Sequence, residues 1–222
     1  MSDLPLDTPQ PDFDFPEPEA DSYSDSIWET DQPDDVVLPP IDTDIMDAIP
    51  REIGNPEELA EYWHYQGMTN DCALYAQGGV LEANGQPFDI ERYRQQGMDG
   101  GWYNPDEGTY IDKFGYLLED NGVPVTCYDH ATMEDMAQEL EQGHGVVVGV
   151  DTWPIWGEPG GHALWITGME VGADGVPTQI ICNDSGREDG CRIAYPYEDF
   201  KIAWDSLDNV MVATKNPLTA LV

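Results

Sequence analysis

YWHYQGMTNDCALYAQGGVLEANG, residues 62–85, is the stretch on which the fold turns. Ala73, Leu74, Ala76, Val80 and Leu81 recur at the spacing of one helical face, and Gly85 is a suitable stop just beyond them. Asn70 or Asp71 carries the side chain of an N-cap. The spacing predicts a helix with Cys72 in its first turn. A thiol attacks as its thiolate, and a helix N-terminus stabilises that anion. A single cysteine in a helix is more often a small buried apolar group, so Cys72 gains meaning only from its partners elsewhere in the chain.

Order is expected to begin at Asn55-Pro56, where Asn55 caps a helix with Pro56 at its first position and Glu57 and Glu58 near the positive end of the dipole. Residues 110–121 place Ile111, Phe114, Leu117 and Leu118 on one helical face, and Thr132 with Asp135 resembles a capping box opening a helix to Gln142. The pattern then changes. GVVVGVD (145–151), HALWITGMEV (162–171), TQIICND (178–184), RIAYPY (192–197) and VMVAT (210–214) read as strands, and YEDFKIAW (197–204) as a short helix between the last two. Gly172-Ala173-Asp174-Gly175 has turn chemistry and joins the second and third of these strands into a hairpin. Helices first and an antiparallel sheet afterwards is an α+β order.

Three groups can join Cys72. His162 starts a strand after the glycine-rich segment 157–161, where its ring can be held rigidly against a cleft. Gln66 precedes Cys72 by six residues, and its amide together with the Cys72 N–H can hold an oxyanion. Asn183 and Asp184 end the strand paired with that of His162, and either can reach His162 Nδ1; neighbours in a strand face opposite ways, so one of them does. Trp102, Trp153 and Trp156 lie outside the periodic elements and are candidate substrate-cleft residues. His64 sits in an aromatic cluster and reads as packing, His130 and His144 as exposed loop residues, and Cys127 and Cys182 as core.

Gln66-x5-Cys72, then GGHALWITG (160–168), then ICNDSG (181–186), resembles the papain superfamily, and most closely its bacteriocin-processing, double-glycine-leader branch, family thirty-nine of the cysteine peptidases. QGHGVVVGV (142–150) is similar to that branch's middle strand, and YPYEDFKIAW (195–204) to its closing tail. The likeness spans residues 60–205. It implies a papain-like fold with an N-terminal helical subdomain packed on the sheet. It also implies Gln66 as oxyanion-hole residue, Cys72 as nucleophile, His162 as base and Asp184 as orienting acid, with Asn183 the alternative. The chain departs from the branch at Ala73, at Ser185 where relatives have proline, and by the insertion GADGVPT (172–178). The implied reaction is peptide hydrolysis through a covalent thioester, with no cofactor and no metal. Side-chain deamidation or transglutamination by the same machinery, and an inactive binding or adaptor module, are the alternatives.

The chain carries 45 acidic and 8 basic residues among 222, a formal charge of -37. That balance excludes nucleic acid and anionic membrane as partners, since both are held by Lys and Arg. It favours a peptide or protein substrate, basic if charge selects it. Residues 1–55 hold 16 of the acidic residues and one basic residue, Arg51, are rich in proline, and read as a disordered acidic tail ahead of a domain at 56–222. Its apolar islands IWET (27–30) and VVLPPI (36–41) are candidates for docking on a partner or on the domain's own groove. There is no signal-peptide pattern and no apolar run of membrane-spanning length, so the expected compartment is the cytoplasm, or the exterior by a signal-independent route. Cys182 and Cys191 form a disulfide only in an oxidising setting.

Overall fold

The structure, a computed structural model, describes residues 51–222. The acidic stretch before Arg51, with both apolar islands, lies outside the described residues.

Arg51–Gly54 form a strand, β1, although this segment reads as tail in the sequence. With Ile53 its one buried residue, it is too short to show a period. Pro56–Leu59 is the first helical turn, α1, and continues as a 3₁₀ turn over Ala60–Tyr62. Asn55 holds the N-cap position but its side chain makes no capping bond. Cys72–Ala83 is α2, beginning on Cys72 and followed by Gly85 at φ +80°. Ile90–Gly100 is α3, which the sequence conceals because Tyr93 and Gly97 are its only buried residues. Its start is nonetheless encoded: the Asp89 carboxylate accepts the Arg92 N–H at 3.1 Å. A two-stranded hairpin follows, β2 (Tyr103–Asn104) and β3 (Gly108–Thr109).

The helix expected over 110–121 is split. Ile111–Lys113 is a 3₁₀ turn, Gly115 at φ +93° breaks the rod, and α4 runs over Tyr116–Asp120. The break leaves the Gly115 N–H without a helical acceptor, and buried Gln77 Oε1 accepts it at 3.0 Å. Val125–Tyr128 forms β4, and Met133–Glu141 forms α5 behind the expected capping box: Asp135 N–H donates to Thr132 Oγ1 and Thr132 N–H to Asp135 Oδ2. The remaining elements are β5 (Val146–Asp151), the single turn α6 (Trp153–Trp156), β6 (Gly161–Val171), β7 (Pro177–Asn183), β8 (Ile193–Pro196), α7 (Tyr197–Asp205) and β9 (Met211–Thr214). The turn at 172–175 closes as a hairpin, with the Gly172 N–H donating to Val176 O at 2.8 Å.

Among the described residues the main sheet has seven antiparallel strands in the order β4-β9-β5-β6-β7-β8, with β1 pairing the far half of β6. Both faces are buried, so neighbouring residues serve different cores. Val147, Trp165 and Val212 face Leu74, Leu81, Tyr93, Leu117 and Leu118 of α2, α3 and α4. Val146, Val148, Leu164, Ile166 and Met211 face Met136, Leu140, Phe200 and Trp204 of α5 and α7. The helical layer formed by α2–α4 therefore packs on one face of the sheet and sets the start of α2 beside the start of β6. No helix among the described residues is long and apolar enough to cross a membrane.

Candidate active site

Cys72 is the first residue of α2, so its thiol lies where the helix presents unpaired N–H groups. His162 is buried at the start of β6, across from Val150 of β5. The two side chains line one cleft, where each bears on the other's charge. Burial works against the Cys72 thiolate, but the hydrogen bond and charge of His162, with the backbone N–H groups of Ala163 and Ala73, pull the thiol below its ordinary range. Burial likewise works against the imidazolium. Asp184 and Cys72 outweigh it and raise His162 to about 9.

Asp184, wholly buried, meets His162 Nε2 through Oδ1 at 2.8 Å. The sequence leads one to expect this contact on Nδ1; the structure uses Nε2. Asn183 turns the other way. It stands opposite Trp165 in the register, donates from Nδ2 to Leu59 O at 2.8 Å, and accepts the Arg192 N–H. The pleat thus assigns one residue to tying β7 to α1 and its neighbour to the imidazole.

Gln66 sits in the cleft with Cys72 and His162. Its Nε2 donates to Thr69 O at 2.7 Å, which leaves the second amide hydrogen for the cleft. Its Oε1 accepts from Ser185 Oγ at 2.7 Å, and its backbone N–H donates to Ser185 O at 2.8 Å. Ser185, one of the departures from the family pattern, therefore fixes which way the Gln66 amide faces; a proline there has no hydroxyl to do so. The cleft is about 780 Å³, the size that takes a few residues of an extended peptide, and Tyr110, Ile111, Phe114 and Trp156 supply its apolar wall.

The chain shares its architecture with a solved protein from Bacillus anthracis described as a C39-like peptidase: TM-score 0.56, covering 76% of this chain and 100% of that one, at 11% identity. The chain has the fold of a C39-like peptidase. Uncharacterized proteins of Mycobacterium tuberculosis and Mycobacterium bovis are 28% identical over 198 residues, covering 72% of this chain and 83% of theirs. No family model matches the chain.

Within the C39-like fold, the three candidate cleft tryptophans part company. Trp156 lines the cleft and tilts over the His162 ring, centroids 4.6 Å apart. Trp102 belongs to the core, its indole lying on Gly97 and Gly100 of α3 and its Nε1–H bonded to Asp120. Trp153 is 60% exposed and does not line the cleft. Cys182 is buried as expected, whereas Cys127 is exposed because β4 is an edge strand; Cys182 and Cys191 are both free thiols. His64 packs on Phe88 and bonds Glu82. His130 is exposed, but His144 is largely covered and paired with Glu139. Among the described residues no three His, Cys, Asp or Glu side chains gather as a metal site would.

Several groups around the site carry no local signal in the sequence. Asp71, directly before Cys72, is buried and bonded to Arg94 of α3 and Tyr103 of β2. Asp184 is further surrounded by Gly186 N–H, Tyr195 and Trp156, and Trp63 Nε1–H donates to its carbonyl. A sequence cannot show these contacts because the residues come from separate elements. The one available hint for Arg94 was its place on a cap-initiated helix, since a buried carboxylate needs a cation from somewhere near.

Proposed function

We propose that the domain is a cysteine peptidase. The observation that carries this reading is the His162–Asp184 pair, joined at 2.8 Å, in one cleft with Cys72 and the Gln66 amide. The thiolate of Cys72 attacks the carbonyl carbon of a peptide bond. The Gln66 amide and the Cys72 N–H stabilise the developing oxyanion. His162, held as an imidazolium, protonates the leaving amine as the thioester forms, then takes a proton from the water that hydrolyses it. Asp184 orients the ring and offsets its charge. The substrate is a peptide or protein, and the net charge of the chain, with Glu107 and Glu158 outnumbering Arg187 at the cleft, favours a basic one.

The test is labelling of folded protein at neutral pH with an iodoacetamide or epoxide thiol probe, mapped by mass spectrometry, followed by exposure of a peptide library. Expected are selective modification of Cys72, absent in Cys72→Ala, and new peptide termini that depend on Cys72. A chain that stays intact while glutamine or asparagine side chains become acids would replace peptidase by deamidase. Absence of labelling at Cys72 would leave a binding module.

A further inference from the structure

Asp184 receives more donors than an orienting carboxylate requires. Oδ1 accepts from His162 Nε2 at 2.8 Å and from the Gly186 N–H at 2.9 Å. Oδ2 accepts the Tyr195 hydroxyl at 2.6 Å and the Trp156 indole N–H at 3.2 Å. The same indole N–H lies 3.0 Å from the Tyr195 oxygen, so Trp156 and Tyr195 are tied to each other as well as to the carboxylate. Tyr195 comes from β8 and Trp156 from the turn α6, on opposite sides of Asp184 in the chain. Asp184 has no exposure to water, so these donors replace its hydration shell.

We propose that Tyr195 is a positioning residue: with Trp156 it clamps Asp184 as a fixed carboxylate, and so sets how far into acid the Cys72–His162 ion pair survives. This rests on the peptidase reading of the same site and extends it to a residue outside the triad. The groups facing Asp184 are few: His162 of β6, Cys182 of β7, Tyr195 of β8, and Arg187 and Asp189 in the turn between β7 and β8, with Cys72 beyond the imidazole. Tyr195 is the one neutral hydroxyl among them. Burial and the Asp184 charge raise its pKa, so it remains a donor throughout the working range. For Asp184, burial opposes the carboxylate, while the hydrogen bonds of His162, Tyr195 and Gly186 lower its pKa. Removing the phenol hydroxyl leaves burial less opposed, and the carboxyl protonates at higher pH. Without the carboxylate the imidazolium loses its partner and the thiolate loses the imidazolium.

The readout is the rate of iodoacetamide alkylation at Cys72 against pH, in the full chain, which needs no knowledge of the substrate. In wild type the rate is expected to have an acid limb below that of a free thiol. Tyr195→Phe is expected to move that limb up by about one pH unit, the size of one charge-assisted hydrogen bond. Trp156→Phe keeps a ring over His162, removes the other donor, and shifts the limb the same way; it serves if Tyr195→Phe does not fold. Thermal unfolding verifies that each variant is folded. A wild-type acid limb that neither variant moves would overturn the proposal and leave the peptidase reading standing. A wild-type Cys72 that titrates as an ordinary thiol would overturn both.

Discussion

Replacing His162 by Ala is expected to lower hydrolysis by about a thousandfold or more, and to remove the reactivity of Cys72 at neutral pH. The thiol owes most of its lowered pKa to His162: burial raises it, and the imidazolium's hydrogen bond and charge are the largest of the effects that bring it down. Without the ring, the helix start and the Ala163 and Ala73 N–H groups remain, and these are the weakest of the effects set against burial. The thiol should then titrate at or above its free value of about 8.5, so that few molecules hold a thiolate at pH 7. In wild type the high-pH side follows His162, which loses its proton at about 9. Alkylation by a neutral reagent should persist above that pH, since the thiolate needs no acid. Peptide hydrolysis should fall, because the leaving amine does. A single pH profile shared by both reactions would contradict these roles.

Arg94→Met is expected to destabilise the fold by about 3 kcal/mol, the low end for stripping a buried charge of its partner because Arg94 is itself partly exposed. Asp71 is 1% exposed and is held by Arg94 and Tyr103, with Arg94 Nε 3.1 Å from Oδ2. Burial opposes its charge, but the hydrogen bonds from Arg94 and Tyr103 keep its pKa below the ordinary 3.8. A carboxyl lowered in the folded state contributes stability above its unfolded pKa and loses it as pH falls through the folded one. Wild type should therefore lose this contribution only below about pH 4. In Arg94→Met the sign reverses. Burial raises the carboxyl, so the variant should gain stability as pH falls from 7 towards 5. Adding Asp71→Asn should recover part of the loss at neutral pH. Urea unfolding at pH 5 and 7 measures all three. Equal losses at both pH values would mean that Arg94 contributes packing rather than charge.

What the sequence reveals here is what short segments determine alone. Cys72 at a helix start, the Thr132–Asp135 box and the turn at 172–175 are each fixed by residues within a few positions of one another, and all are present. The α3 helix is hidden because one tyrosine and one glycine make up its buried face. Trp102 looks like a loop aromatic until α3 supplies the glycines that receive it. The choice between Asn183 and Asp184 follows from register, which a strand's own residues leave open by one step. Ser185 looks like a harmless substitution in the sequence, yet its hydroxyl orients Gln66 across 119 positions of chain.

The tilted stacking of Trp156 on His162 also has an optical consequence. An excited indole passes an electron more readily to an imidazolium than to a neutral imidazole, and these rings are 4.6 Å apart. Emission from Trp156 is therefore expected to be dim while His162 keeps its proton and to brighten as the proton leaves near pH 9. The difference in fluorescence between wild type and Trp156→Phe isolates that signal from the other indoles. The molecule thus carries its own gauge of the imidazole's charge state, one that can be read before any substrate is known.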